Sequence, residues 1–540
     1  MIKETHRKNM REYKIRRQLF NILSKNNPNN IKEYDISIPE YKKIKKIIEK
    51  IKGKEDFRQS DGLFSDDEKW YLVCKATLDL SSLCDNMNNI QYNAITQCNI
   101  IFSECNISLN DKQSENNRIV KTKLYFYNCT FEKTLNLKNI IFEKTLTFNQ
   151  CKFKRKIRMY SNIFLSHLVF RDCYDKQSKK ITSLDLQENE FKGYFFIKNC
   201  AIEKINLWKN KFKNRCYFMD CEFGYRQDKD NQAKLNFSNT HFEDNAYFNN
   251  SEFYSYADFH ECEFDDIACF YGVKFHKIPN FSQVVLKGNF NALNITSNFV
   301  FDNLKKQIKQ EYENFNKDKN EQDNKPLDKI ASDFRDSFRT FKNALIKDNN
   351  LLDASNYHKY ELYCKEIELK NKKGKTFKDV VDRWQLLFYR KLCDHHTDLL
   401  LNLKWLVVIV GFFASILFGL RYGDGNLMQF FNKDNDLLKM LKNILNIKAL
   451  NDSNATYLIL LYSFIGLFFV RTFFIFYYLV IFILMLAISP YNLFSMINFA
   501  IRHETNSFLE NIIIIIYTLS IVLIIFSLQK TARKNSIVPS

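Results

Sequence analysis

Between residues 131 and 286, large apolar residues recur at intervals of five and six positions. A helix rewards apolar spacing near 3.6 and a strand near 2, so neither element alone explains the rhythm. It is clearest in AYFNNSEFYSYADFHECEFDDIACFYGVKFHKIPNF (246–281), where Phe248, Phe253, Phe259, Phe264, Phe270, Phe275 and Phe281 alternate five, six, five, six, five, six. Two positions before each ring from Phe248 to Phe275 stands a small residue: Ala246, Ser251, Ala257, Cys262, Ala268 and Val273. Upstream, Phe131, Leu137, Phe142, Phe148, Phe153, Met159, Phe164 and Phe170 keep the same alternation. After a polar break, YDKQSKK (174–180), it resumes at Leu186, Phe191, Ile197, Ile202, Leu207, Phe212, Phe218 and Phe223, one residue short between Ile202 and Leu207. A second break (224–234) precedes Phe237 and Phe242, and Ile100 and Ile107 read as degenerate early members.

Small, polar, large apolar and then two or three polar residues is the signature of a pentapeptide repeat. The chain is identified as a member of that family and resembles its F-x-x-x-x-F-x-x-x-x-x subgroup. The resemblance implies a right-handed, four-sided β-helix with the large residue filling the interior and the small one beside it. Residues 22 apart, such as Phe253 and Phe275, are then expected to stack. Seven or so coils between Phe131 and Leu286 would make a rod of roughly 30–35 Å. As in any solenoid, one repeat cannot bury its apolar side alone, so neighbours share a continuous core.

Composition changes abruptly beyond Lys404. WLVVIVGFFASILFGL (405–420), the apolar stretch 456–489 interrupted only by Arg471, and FLENIIIIIYTLSIVLIIFSL (508–528) read as membrane spans, with 456–489 either one long span or two short ones. Arg390, Lys391 and Lys404 before the first span and Lys530, Arg533 and Lys534 after the last place both flanks on the cytoplasmic side. An arginine within a span is costly, which makes Arg471 a functional candidate. The expected organisation is multidomain: a mostly helical N-terminal region (1–88), the β-helix (89–295), a helical linker (296–402) containing a hairpin (330–371), transmembrane helices (403–530) and a basic tail (531–540).

Of 14 cysteines, nine (Cys98, Cys105, Cys129, Cys151, Cys173, Cys200, Cys216, Cys221, Cys262) fall at the small inward position, where a thiol serves as a compact hydrophobe. No C-x-x-C pair occurs, which argues against zinc, and buried reduced thiols imply a reducing compartment. The first twenty residues are basic but lack the apolar core of a secretory signal, so the β-helix is expected in the cytoplasm. The net charge of +19 is unevenly spread. Residues 131–219 carry 19 Lys/Arg against 8 Asp/Glu, and residues 220–268 carry 3 against 12. A rod of mixed sign is a poor mimic of nucleic acid and no such partner is expected. Its basic half, together with YKKIKKIIEKIKGK (41–54), could instead rest on anionic lipid.

Enzyme chemistry finds little support: there is no P-loop, no G-x-S-x-G and no H-E-x-x-H. In DHHTD (394–398), His395, His396 and Asp398 are weak metal candidates, since adjacent histidines on a helix face different ways, and a polar cap beside the membrane is the plainer reading. No cofactor is expected.

The membrane fusion also resembles pentapeptide-repeat ion-channel fusions: LIIFSLQKTARKN (523–535) is similar to their last helix, and F-R-x-x-K followed by A-x-x-[FY]-[HY]-x-x-E in 338–369 to their helical hairpin. A potassium filter requires a T-x-G-Y-G loop before the last helix, and 490–507 contains no glycine. The expectation is therefore a non-enzymatic, multi-pass bacterial inner-membrane protein that oligomerises, with its β-helix and tail cytoplasmic and the β-helix a scaffold for a protein partner. The alternative is a divergent ion channel regulated by the β-helix.

Overall fold

Rings spaced five and six apart become columns once the chain is coiled. A computed structural model describes residues 36–37, 70–80, 99–110, 118–173, 181–224, 235–317, 324–422 and 508–533. The chain divides into two compact units, Met1–Asn350 and Leu351–Ser540.

In the first unit, strands of two to five residues stack into sheets of eleven, eight, six, four and four strands. The chain visits them in a repeating order. From Leu124–Tyr127 in the eleven-stranded sheet it passes to Thr130–Phe131 in a four-stranded sheet and Leu135–Lys138 in the six-stranded one. It then reaches Ile140–Phe142 in the eight-stranded sheet and returns to the first at Leu146–Asn149. One circuit of 22 residues brings Phe126 into register with Phe148, and Phe148 with Phe170, all in parallel ladders. The rings stack 5.3 and 5.0 Å apart, the separation of neighbouring strands. Phe253 lies over Phe275 at 5.0 Å, as the spacing requires. The result is a β-helix-like stack of parallel strands. Every phenylalanine of the expected core, from Phe131 to Phe281, is at most 3% exposed.

Three departures have simple causes. Across the first polar break Phe164 pairs with Phe191, and across the second Phe223 pairs with Phe253, so the ladder resumes in phase after 27 and 30 residues. The residue missing before Leu207 shortens one circuit to 21, seen in Phe191 against Phe212 and Ile202 against Phe223. The stack also begins earlier than residue 89. Trp70–Cys74 pairs in parallel with Asn99–Ser103, and Thr77–Asp79 with Asn106–Ser108. Tyr71 and Val73 take the inward places there, so the register holds without the phenylalanine rhythm.

Corners carry their own chemistry. Asn128, Asn139 and Asp172 take positive φ, which Asn and Asp tolerate best, and Gln150, Ser161, Lys75 and Glu104 are held in the same conformation by the repeating turn. Inside one corner, buried thiols donate to carbonyls of the preceding coil: Cys129 to Phe102, Cys151 to Phe126 and Cys173 to Phe148, at 3.2–3.3 Å. Burial pushes the thiol of Cys221 up to about 12 and that of Cys216 well above its ordinary value, so both stay protonated and inert. Cys98 lies outside the described residues.

The last coil needs a cover, because an open edge is a template for further pairing. Two helices provide it: α1 (Phe301–Asn316) and α2 (Leu327–Lys347). Gln307 of α1 imitates a strand, accepting from the Ile278 N–H and donating to its carbonyl, both at 3.0 Å. Ser337 of α2 accepts from the Phe281 N–H at 2.7 Å, and Phe341 sets its ring against Phe281 and Phe290 at 4.9 and 5.4 Å.

The second unit is helical: α3 (Leu351–Asn371), α4 (Phe377–Cys393), α5 (Leu399–Tyr422) and α6 (Phe508–Ala532). Within the residues expected as a hairpin (330–371), α2 ends the first unit and α3 begins the second; on α3 Ala354 and Tyr357 are buried but Leu352 is exposed. α5 and α6 run antiparallel, since Asn402 meets Ser527 while Phe413 meets Tyr517. Among the described residues only Asn511–Ala532 is long and apolar enough to cross a membrane; the apolar stretch of α5, Leu399–Phe413, is shorter. The structure thus shows one candidate span where three or four were expected. The stretch 456–489, Arg471 and the segment 490–507 lie outside the described residues.

Candidate functional site

Side chains with chemistry converge beyond the end of α4. Its capping aspartate, Asp394, is left-handed, and so are the next two residues, His395 and His396 (φ 48°, 55° and 68°). Three consecutive side-chain-bearing residues in this region hold a conformation that costs about 1 kcal/mol or more each. The surrounding bonds fix it. The N–H of His396 meets the Cys393 sulfur at 3.2 Å, and the N–H groups of Thr397 and Asp398 both reach the Cys393 carbonyl at 3.1 Å. The Asp394 carboxylate accepts from the Tyr363 hydroxyl and pairs with Lys359 at 3.3 Å. One turn back, Arg390 grips the buried Glu366 with two bonds of 2.7 and 3.0 Å.

His395 is 3% exposed, its ring 5.6 Å from that of Tyr363, and its Nε2 has no hydrogen-bond partner. Burial, reinforced by the charges of His358, Arg390, His396 and Lys359, lowers its pKa to about 3. His396 is lowered to about 4, again chiefly by burial and then by Lys530. Its Nδ1 lies 3.4 Å from the hydroxyls of Ser527 and Thr531 on α6. Asn402, fully buried on α5, donates to Ser527 at 3.0 Å and leaves its carbonyl oxygen unpartnered. All four helices of the unit thus contribute to one polar junction.

The junction has the outline of a Cys–His pair without its chemistry. Cys393 and His396 stand 3.5 Å apart, but the thiol is wholly buried and pushed up while the imidazole is pushed down. A nucleophilic thiolate requires both shifts to be reversed. Metal ligation fares no better. His395 and His396 lie in a left-handed turn, not on a helix, and Asp398 caps α5 by accepting from the Leu401 N–H. These three residues form no ligand cluster. The sequence missed Tyr363, Asn402, Ser527 and Thr531, which stand up to 135 positions away from their partners.

Among the described residues the one group spaced to hold a cation is His241, Glu263 and Asp265, on the eight-stranded sheet. Lys287 already occupies it, 2.5 Å from Glu263 and 2.9 Å from Asp265, and with His241 holds the Asp265 carboxyl below its usual range. An arriving ion would have to displace a bound ammonium, so the group is an ionic network between coils.

The outer face of the eleven-stranded sheet is the second feature. Strand alternation points one residue of every coil outward in register: Leu72, Ile101, Tyr125, Thr147, Val169, Phe196, Tyr217 and Tyr247. The first five are buried, whereas Phe196, Tyr217 and Tyr247 are half-buried, the tyrosines stacked at 5.1 Å. Elsewhere the outer face pairs charges between coils, as in Lys213–Glu190 at 2.6 Å and Lys154–Glu132 at 2.8 Å.

Compared with known proteins, the chain matches no family model, no curated protein and no solved structure.

Proposed function

We propose that the protein is a non-enzymatic membrane scaffold: a rigid pentapeptide-type, right-handed and four-sided β-helix that presents a protein-binding face beside a bilayer. The observation that carries this reading is the outward strip of Phe196, Tyr217 and Tyr247, held in register by a sheet that cannot flex without breaking its ladder. Half-buried aromatics on a preorganised surface bind with little loss of side-chain freedom, which favours them as interface anchors. Membrane attachment is supported by α6, where Ile515, Leu519, Val522 and Phe526 are all about half exposed or more. In water that surface would be costly; in lipid it is the expected one.

The test uses the full chain in its native cells. Carbonate-resistant membrane association is expected, with loss of a specific crosslinked partner in Tyr217→Ser/Tyr247→Ser while the protein stays folded and membrane-bound. An unchanged crosslink pattern would overturn the scaffold reading of this strip. The second reading, a divergent ion channel, is favoured by the polar junction, where Asn402 keeps a buried open acceptor between α5 and α6. Ion flux through reconstituted protein that changes with Arg471→Ala would select it.

A further inference from the structure

Helix α4 turns a second apolar face away from its unit, where a helix in water would carry polar residues. Its sides toward the rest of the unit mix charge with apolar residues: Asp379, Asp382, Arg383 and Arg390 beside Leu386, Leu387, Tyr389, Leu392 and Cys393. Its outward stripe is apolar: Phe377, Val381, Trp384 and Phe388, spaced four, three and four, are 85, 47, 65 and 43% exposed. The helix is nonetheless firmly built. Thr376 and Asp379 close a reciprocal capping box, and Asp379 also binds Lys372 at 2.9 Å.

Its surroundings name the occupant. From 370 to 391 the chain carries eight Lys/Arg against two Asp, a net charge of +6. Lys373, Lys375 and Lys378 at one end and Lys391 at the other are exposed. A protein partner would also accept an aromatic stripe, but basic flanks around exposed Trp and Phe fit the headgroup zone of an anionic bilayer. Position agrees. The Trp405 indole on α5 donates to the Lys391 carbonyl at 2.7 Å, and Tyr389, Trp405, Leu406 and Ile409 all pack against a buried cluster of Leu392, Cys393 and Ile524. The end of α4 is therefore bound to the start of α5 and the end of α6, where Lys404, Lys530 and Arg533 also gather.

We propose that α4 lies in the membrane–water interface, its Phe377–Val381–Trp384–Phe388 stripe among the acyl chains just beneath the headgroups and its lysines against anionic headgroups. This rests on the reading that α5 and α6 enter a membrane, and the experiment separates the two. The full chain is reconstituted in phosphatidylcholine/phosphatidylglycerol vesicles brominated at a shallow or a deep acyl position. Subtracting the spectra of Trp384→Phe and Trp405→Phe isolates the emission of each tryptophan. The expected result is quenching of Trp384 more by shallow than by deep bromine, with little quenching by aqueous iodide. Replacing Lys373, Lys375 and Lys378 by Gln should lower the Trp384 quenching in anionic vesicles and leave that of Trp405 alone. Trp405 quenched by bromolipid while Trp384 answers only to iodide would overturn the interfacial helix and keep the membrane reading. Trp384 shielded from both quenchers would place a protein on the stripe and also overturn it. No bromine quenching of either tryptophan would remove the membrane reading and this inference together.

Discussion

Polar side chains are buried in both units, and a corner column of the stack meets their needs in a way that the helical junction does not. In the stack, Asn162, Asn189 and Asn210 form a column at one corner, each at most 1% exposed. Asn189 accepts from the Asn162 N–H at 2.9 Å and donates to the Met159 carbonyl at 2.9 Å, while Asn210 repeats the pattern one coil on. The helical junction buries His395 and Asn402 almost as deeply but leaves one polar atom on each, Nε2 and Oδ1, without a partner. A repeating corner can satisfy a column of amides because the next coil brings the same backbone group to the same place; away from that corner the stack too leaves side-chain oxygens open, at Asn149 and Asn249. A junction of four helices has no such repetition, so its polar atoms are either over-determined, as at Arg390–Glu366, or left open. Where repetition or a paired charge supplies the partners, buried polarity is satisfied; an acceptor left open between two helices is where a second state or a ligand has something to gain.

The largest expected effect lies at the satisfied part of the junction. Arg390→Met would strand the Glu366 carboxylate, itself 5% exposed, and should cost roughly 3–5 kcal/mol in thermal unfolding of the detergent-solubilised chain. Arg390→Met/Glu366→Leu should recover most of that loss. A double variant no better than the single one would mean that the pair contributes more than its own neutralisation. Next comes the column: Asn189→Ala removes partners from both neighbouring coils and should cost about 2–4 kcal/mol by denaturant unfolding. A loss well under 1 kcal/mol would show that the column is not the satisfied network its geometry describes.

The two units also differ in how much the sequence discloses. Phenylalanine spacing specifies the coil and its register, because a slipped residue would turn each ring to solvent; the 22-residue pairing and the inward thiols follow from it. Trp70–Cys74 escaped, since Tyr71 and Val73 fill inward places that carry no phenylalanine. In the helical unit, α6 was plain from hydropathy alone. Three left-handed residues in a row were not, because Asp-His-His contains none of the glycine that announces such a turn. The stripe on α4 has ordinary helical periodicity, which cannot say whether an apolar face meets a core or a membrane.

Acid should separate the units further. The folded pKa of His395 is depressed to about 3 from 6.5, so its neutral form belongs to the native state. The native state therefore loses stability as pH falls below about 6.5, by about 2 kcal/mol at pH 5 relative to neutral pH. His395→Asn, whose side chain tolerates the left-handed backbone, should flatten that part of the stability–pH curve. An unchanged acid limb would assign the loss to His396 or another group.

The smallest effect is the most telling. In the column, replacing a buried asparagine breaks bonds that nothing replaces. At Asn402 a replacement removes an orphaned carbonyl together with a 3.0 Å bond to Ser527 and a longer one of 3.5 Å to Thr531, whose hydroxyl keeps its own bond to the Ser527 carbonyl. The desolvation relieved and the hydrogen bonds lost are of similar size, so Asn402→Leu should change stability by no more than about 1 kcal/mol in either direction. If Asn402→Leu proved as costly as Asn189→Ala, the open acceptor would be satisfied in the working protein, and the junction would belong with the column as construction. A neutral or stabilising result would mean that Asn402 is kept for something other than holding α5 against α6, which is the behaviour expected of a group that acts when the two helices move.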